Sequence, residues 1–223
     1  MINIDEVIRT KRRSIALIVE RDGRLVVRAP IRTKDETILE FVNQKEKWIL
    51  NKQEKAKALY PPFAPKEYVN GEGFWYLGKI YPLQWTENQK PLLSLNEDFQ
   101  LSQMAAHKAP GVFEKWYREQ SFQIISERAQ WYAEKHGFVY KHVKITSAQT
   151  RWGSCNSKGA LSFTWRLVMA PMPVIDYVVV HELVHLKTLN HSKDYWSKVR
   201  LIMPDYKIRI DWLDRHGHLL RLE

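Results

Sequence analysis

Apolar and β-favouring residues cluster in two early runs, Ser14 to Val19 and Leu25 to Ala29, around the polar stretch Arg21-Asp22-Gly23-Arg24. That pattern predicts a β-hairpin on an Asp-Gly turn, closed by Pro30. Downstream, Ile38, Phe41, Val42, Trp48 and Ile49 recur at helical spacing. They predict a helix that Asp35 caps and that runs on through a Lys-rich stretch to about Leu59. Tyr60-Pro61-Pro62-Phe63-Ala64-Pro65 breaks it. A second hairpin is expected from Gly73 to Trp85 with its turn at Gly78-Lys79, and one more strand from Leu92 to Leu101.

From Pro110 the period changes. Phe113, Trp116, Tyr117, Phe122, Ile125, Ala129 and Tyr132 mark one long helix ending near Gly137. Strands follow at Val143 to Thr146 and, after the Ser157-Lys158-Gly159 turn, at Ala160 to Phe163. Pro171 and Pro173 then open a helix that is apolar on nearly every side: Val174, Ile175, Val178, Val179, Val180, Leu183, Val184, Leu186 and Leu189. A helix apolar all round is a buried one. Ser192 is placed to cap another helix through Trp196, Val199 and Ile202, and Asp205 begins a short last one. The shift from hairpins to helices puts the expected division near residue 100: a β-rich domain over 1–100 with two hairpins and a helix, and a second domain over 101–223.

Composition narrows the class. An apolar fraction of 44% with nine Trp and ten Tyr is ample for packed cores, and no run of 18 apolar residues is present. The N-terminal stretch lacks the basic, apolar, small-residue order of a signal peptide. A single cysteine, Cys155, cannot form an intramolecular disulfide, which fits a reducing cytoplasm as the expected location, with no membrane partner. The net charge of +10 favours polyanionic partners and makes DNA a candidate. Trp48, Trp75, Tyr76 and Trp85 could stack bases, but they serve equally as the filling of small β cores.

The candidate chemistry lies inside the buried helix. Residues 181 to 191 read HELVHLKTLNH. His181 and His185, four apart, share a helix face and can bind one Zn²⁺. Glu182 lies about 100° round from His181, within reach of a metal-activated water and not itself a ligand. Burying all three costs several kcal/mol unless something satisfies them, and a metal does so. His191 can return as a third ligand if the chain turns sharply, for which Asn190 suits a left-handed conformation. Alternatively, His191 only caps the helix C-terminus, where the dipole favours it. The spacing equals that of the metzincin motif, but Thr188 stands where metzincins carry glycine.

With three histidines on zinc, Glu182 is the expected general base. A further electrophile for the developing oxyanion is sought among Tyr195, Arg151 and Tyr177. Upstream, Arg151-Trp152-Gly153-Ser154-Cys155-Asn156 reads either as a turn between core strands or as a wall of the active site. Arg151 and Trp152 are the wall candidates. Cys155 could be a fourth ligand that shuts the site.

The runs RWGSCNSKGALSFTWRLVMAP and DYVVVHELVHLKTLNHSKDYW, with RRSIALIVERDGRLVVRAP, FVNQKEKWI and GKIYPL, resemble the YgjP-like metal-dependent hydrolase family, related to the SprT and WLM zinc peptidases. The resemblance spans nearly the whole chain. It implies an α+β fold with a minimal zincin-like core, a small sheet packed on a long helix and the motif helix, preceded by a β-rich N-terminal region. It also implies zinc on His181, His185 and His191 with Glu182 as general base. Members are named both as zinc metallopeptidases and as UTP pyrophosphatases. Protein or peptide is the favoured substrate, bound along the strand around Ala160 to Phe163. The chain has neither a G-x-x-x-x-G-K-[ST] loop nor a carboxylate cluster for Mg²⁺, which weighs against a nucleotide. A nucleic-acid-associated module with a structural metal is the third reading, and Glu182 weighs against it.

Overall fold

In the first sixty residues, alternation along the strands buries one side of a sheet. The computed structural model describes residues 2–20, 23–59 and 65–222. Strands β1 (Glu6–Thr10), β2 (Ala16–Val19) and β3 (Leu25–Pro30) form a sheet in the order β1-β3-β2, with β2 antiparallel and β1 parallel to β3. The expected hairpin is therefore β2 and β3; of its turn, Arg21 and Asp22 lie outside the described residues. Strand β1 has no counterpart in the hydrophobic pattern, since the neighbouring Lys11-Arg12-Arg13 masks it. Leu25, Val27 and Ala29 pack with Ile38, Val42 and Ile49 into a wholly apolar core.

The helix expected from Asp35 to Leu59 is two helices, α1 (Asp35–Gln44) and α2 (Glu46–Leu59), interrupted at Lys45. Lys34 occupies the cap position, and Asp35 sits one residue inside, paired with the Arg9 guanidinium. An acidic residue in a first turn complements the helix dipole. The expected breaker at Tyr60 to Ala64 lies outside the described residues.

The chain divides into compact units at 1–64 and 65–223. The division expected near residue 100 falls inside the second unit, because one core takes side chains from both sides of it. Phe74, Leu83, Phe99 and Leu101 share that core with Phe113, Tyr117 and Ile125. The Phe74 and Phe113 rings stack at 4.3 Å.

Within the second unit, β4 (Gly73–Tyr76) and β5 (Lys79–Thr86) form the expected second hairpin. The stretch from Leu92 to Leu101 is two strands, β6 (Leu93–Leu95) and β7 (Phe99–Ser102), giving a sheet in the order β4-β5-β7-β6. The hairpin tip donates its Leu77 and Gly78 N–H groups to the carbonyls of Val168 and Met169 at 2.9 and 3.0 Å. This pins the segment that leads into the motif helix.

The long helix α3 (Ala109–His136) follows, then β8 (His142–Thr146), β9 (Gly153–Cys155), β10 (Ala160–Thr164) and the motif helix α4 (Met172–His185). Two further helices, α5 (Lys193–Ile202) and α6 (Tyr206–His216), complete the unit. The third sheet runs β8-β10-β9, with β8 parallel and β9 antiparallel to β10. Arg128 of α3 forks onto both oxygens of Asp176 on α4, at 2.5 and 2.9 Å. The architecture is α+β, and no helix among the described residues is long and apolar enough to cross a membrane.

Trp75, Tyr76 and Trp85, considered above as base-stacking residues, pack against the core of the second unit. The Trp85 indole N–H donates to the Tyr68 carbonyl, and the Tyr76 hydroxyl bonds Gln120. Trp48 remains partly exposed.

Candidate active site

Helix α4 is buried along most of its length, as its apolar sequence requires: Val174, Ile175, Val178, Val179, Val180, Leu183 and Val184 are all inside. His181, Glu182 and His185 are held at its C-terminal end. Just beyond His185 the chain turns and brings back His191. The Nε2 atoms of His185 and His191 are 3.1 Å apart, and those of His191 and His181 3.2 Å. Among the described residues these three form the cluster of His, Cys, Asp or Glu ligand atoms close enough to hold one metal ion. Cys155 is not part of it.

The surroundings suit a cation. The Nδ1–H of His185 donates to the Thr188 carbonyl at 3.0 Å, which leaves its Nε2 as a bare lone pair aimed at the other two rings. A backbone partner for the far nitrogen is the usual way a metal-binding imidazole is oriented. The Tyr177 hydroxyl lies 3.4 Å from His181 Nδ1 on the same principle. Burial, then the neighbouring His185 and His191, pushes the His181 pKa down to about 3. Burial likewise lowers that of His185, against the Thr188 bond and with His191 in support. Converging neutral nitrogens repel one another unless a positive ion occupies the space between them.

The turn that returns His191 differs from expectation. Among the described residues, Tyr68 and Leu77 are the non-glycine positions with positive φ, so Asn190 does not adopt the left-handed conformation. Thr188 holds the turn instead. Its carbonyl takes the His185 bond, and its hydroxyl meets Lys198 Nζ at 2.8 Å and Asp194 at 3.3 Å. A glycine there would supply no hydroxyl. Ser192 caps α5 by accepting from the Tyr195 N–H, and α5 then sets Tyr195 and Trp196 against the histidines. Trp196 stacks on His191 at 5.7 Å and on Tyr206 at 5.3 Å. Neither Thr188 nor Trp196 carries a role in the sequence motif, because they contact the histidines from outside the cluster.

Tyr195, expected as an oxyanion donor, is fully buried behind the triad. Its hydroxyl donates to the His181 carbonyl at 3.0 Å, so it braces the helix rather than facing the open side. Arg151 and Trp152 do line that side. With Gly153, Tyr177, His181, Glu182 and residues of α6 they bound a cavity of about 270 Å³.

Glu182 is 4% exposed. Burial raises its pKa to about 8, with Arg151 pulling the other way. It reaches the cavity because β9 passes directly over its carboxyl. A Cβ at residue 153 would sit 2.6 Å from Glu182 Oε1 and 2.7 Å from Cγ, closer than any side chain allows. Glycine at 153 is what permits this approach. The Trp-Gly-Ser-Cys run is thus both an edge strand and a wall of the site. Burial and Glu182 also raise the Cys155 pKa, keeping it a neutral thiol.

Converging imidazoles beside a buried glutamate, on an α+β scaffold, form the candidate centre. The profile of the YgjP-like metallopeptidase domain matches residues 13–216, and the chain belongs to that family. A solved structure, the metallopeptidase zymogen abylysin of Pyrococcus abyssi, is similar at 21% identity and a TM-score of 0.39, over 44% of this chain and 96% of that one. No curated protein sequence matches the chain.

Proposed function

We propose that this protein is a zinc-dependent peptidase in which His181, His185 and His191 hold the ion and Glu182 is the general base. The observation that carries the reading is a three-histidine cluster one of whose members, His181, lines the same cavity as the buried Glu182. Histidine nitrogens 3.1–3.2 Å apart are close enough to share one zinc ion, which His181, His185 and His191 would hold. Zinc, when bound, supplies Lewis-acid polarisation of a carbonyl and acidifies water. Glu182 takes the proton of the attacking water and returns it to the leaving amine. Arg151, exposed at the cavity and electrostatically coupled to Glu182, is the candidate for steadying negative charge.

The substrate strand adds to β9 rather than to the strand around Ala160 to Phe163 considered from sequence, which is β10. β10 is the middle strand, hydrogen-bonded on both sides, and has no free edge. β9 is at the edge. Trp152 accepts from the Thr164 N–H and Asn156 donates to the Ala160 carbonyl, so alternation along the ladder turns the N–H and C=O groups of Gly153 and Cys155 outward. An extended peptide pairs with such groups.

The test compares zinc-loaded protein with its Glu182→Gln variant. Each is offered an unstructured protein, with and without DNA, and separately UTP. Protein cleavage lost in the variant while zinc stays bound is the expected result. Pyrophosphate release from UTP that disappears in the variant would move the assignment to nucleotide hydrolysis. Stoichiometric zinc with neither activity would leave a structural site.

A further inference from the structure

The cavity beside Glu182 extends away from the histidines, between α4 and α6. Its buried surfaces are Tyr177, Val178, Leu213 and Glu182 itself, and its sides are the half-exposed Trp152 and Ile210. The two charged residues that line it apart from Glu182, Arg151 and Asp214, are exposed and therefore stand at its mouth. Their opposite signs give the entrance no net charge to select for. Apart from Glu182 and His181, the interior is apolar and aromatic.

The volume of about 270 Å³ falls below the roughly 300–1,000 Å³ of sites that enclose a whole drug-sized ligand. It is the scale of one large side chain. The same cavity is walled by Gly153 of β9 and by His181 and Glu182 of α4. A side chain seated in it therefore belongs to a residue whose backbone lies at the reacting centre. Because side chains alternate along an extended strand, a peptide paired with β9 sends one residue toward α4 and the next away from it. This is the geometry of a specificity pocket for a single residue flanking the scissile bond.

From this we infer that the cavity between α4 and α6 is a subsite selecting a large apolar side chain, with Ile210 and Leu213 setting its size. The inference rests on the peptidase reading and adds to it a substrate class, peptides carrying Leu, Met or Phe next to the cleaved bond. Helix α6, which contributes nothing to the histidine cluster, supplies the selectivity.

The experiment uses hexapeptides of alanine in which one position is varied through Gly, Leu, Phe, Lys and Glu, cleaved by the zinc-loaded full chain with the bond mapped by mass spectrometry. At one position flanking that bond, Leu and Phe should exceed Gly, Lys and Glu by about tenfold or more in kcat/KM, as pocket contacts allow. Leu213→Trp fills the pocket and should shift preference there from Phe toward Gly by a similar factor, leaving the other positions' preferences as they were. Ile210→Trp, at a less buried position, gives the same reading if Leu213→Trp does not fold. Calorimetric binding of the Phe and Gly peptides to the Glu182→Gln protein should follow the same order without turnover. Peptide cleavage with no preference at either flanking position, or with a preference that neither variant moves, overturns the subsite while the peptidase stands. Hydrolysis of UTP with no peptide cleaved removes the reading beneath it, and the subsite with it.

Discussion

Among the described residues, two of the three sheets share one plan, and only one of them borders the candidate site. In the first unit β3 is the central strand, with β1 parallel and β2 antiparallel to it; in the second, β10 is flanked by β8 and β9 in the same senses. The described ends of the connecting turns match as well. Gly23 N–H bonds the Glu20 carbonyl and Gly159 N–H bonds that of Asn156, both at 3.0 Å, with φ of 85° and 77°. Following the registers, Leu17 pairs with Val27 where Gly153 pairs with Phe163. In the first sheet the side chain at that position is partly buried and packs against an apolar core. In the second the side chain is missing, and Glu182 occupies its place. A common scaffold becomes a site where a strand gives up packing so that a helix can bring a buried carboxyl to the edge.

The sharpest way to break the comparison is to restore a side chain at the glycine. Gly153→Ala drives a Cβ into the Glu182 carboxyl. Misplacement of a catalytic group by about 1 Å costs on the order of 100-fold, so peptide kcat/KM should fall by about that much while bound zinc, measured by chelator competition, is retained. Near wild-type turnover would mean that the close approach is irrelevant to Glu182. The reciprocal change, Leu17→Gly, should cost about 2 kcal/mol in the first unit by lost burial and leave zinc affinity untouched. An altered affinity would contradict the division of labour between the sheets.

Smaller effects probe the support of the ligands. Trp196→Ala removes the ring stacked on His191 and should weaken zinc binding about tenfold, at the low end for residues that orient ligands. Unchanged affinity would show that His191 holds its own position. Smallest is the matched pair Gly23→Ala and Gly159→Ala. Each forces a side chain into the left-handed region at a cost of about 1–2 kcal/mol, and equal losses in thermal denaturation would support the equivalence of the two turns.

Much of this is legible in the chain. The burial of α4 follows from apolar residues on all its sides, the convergence of His181 and His185 from their four-residue spacing, and the start of α5 from Ser192. What escapes are contacts between elements distant in sequence. Strand β9 is three residues long, too short for any period, and β1 hides in a charged stretch. The division after residue 64 is invisible because composition changes near residue 100, whereas the core that joins Phe74 and Phe99 to Phe113 does not. Tyr195 lies beside the motif in sequence, yet its hydroxyl turns to the His181 carbonyl.

By itself the sequence determined the carrier of the candidate site: a helix forced inside by its apolar faces, with His181, Glu182 and His185 at fixed angles around it. Helical geometry is local, so spacing suffices. Only the tertiary structure decided which strand is the edge, why residue 153 is glycine, how Thr188 and Trp196 hold the histidines, and that α6 closes a pocket beside Glu182. Those depend on close packing between segments far apart in the chain, where a few tenths of an ångström separate contact from clash and no local pattern records the neighbour.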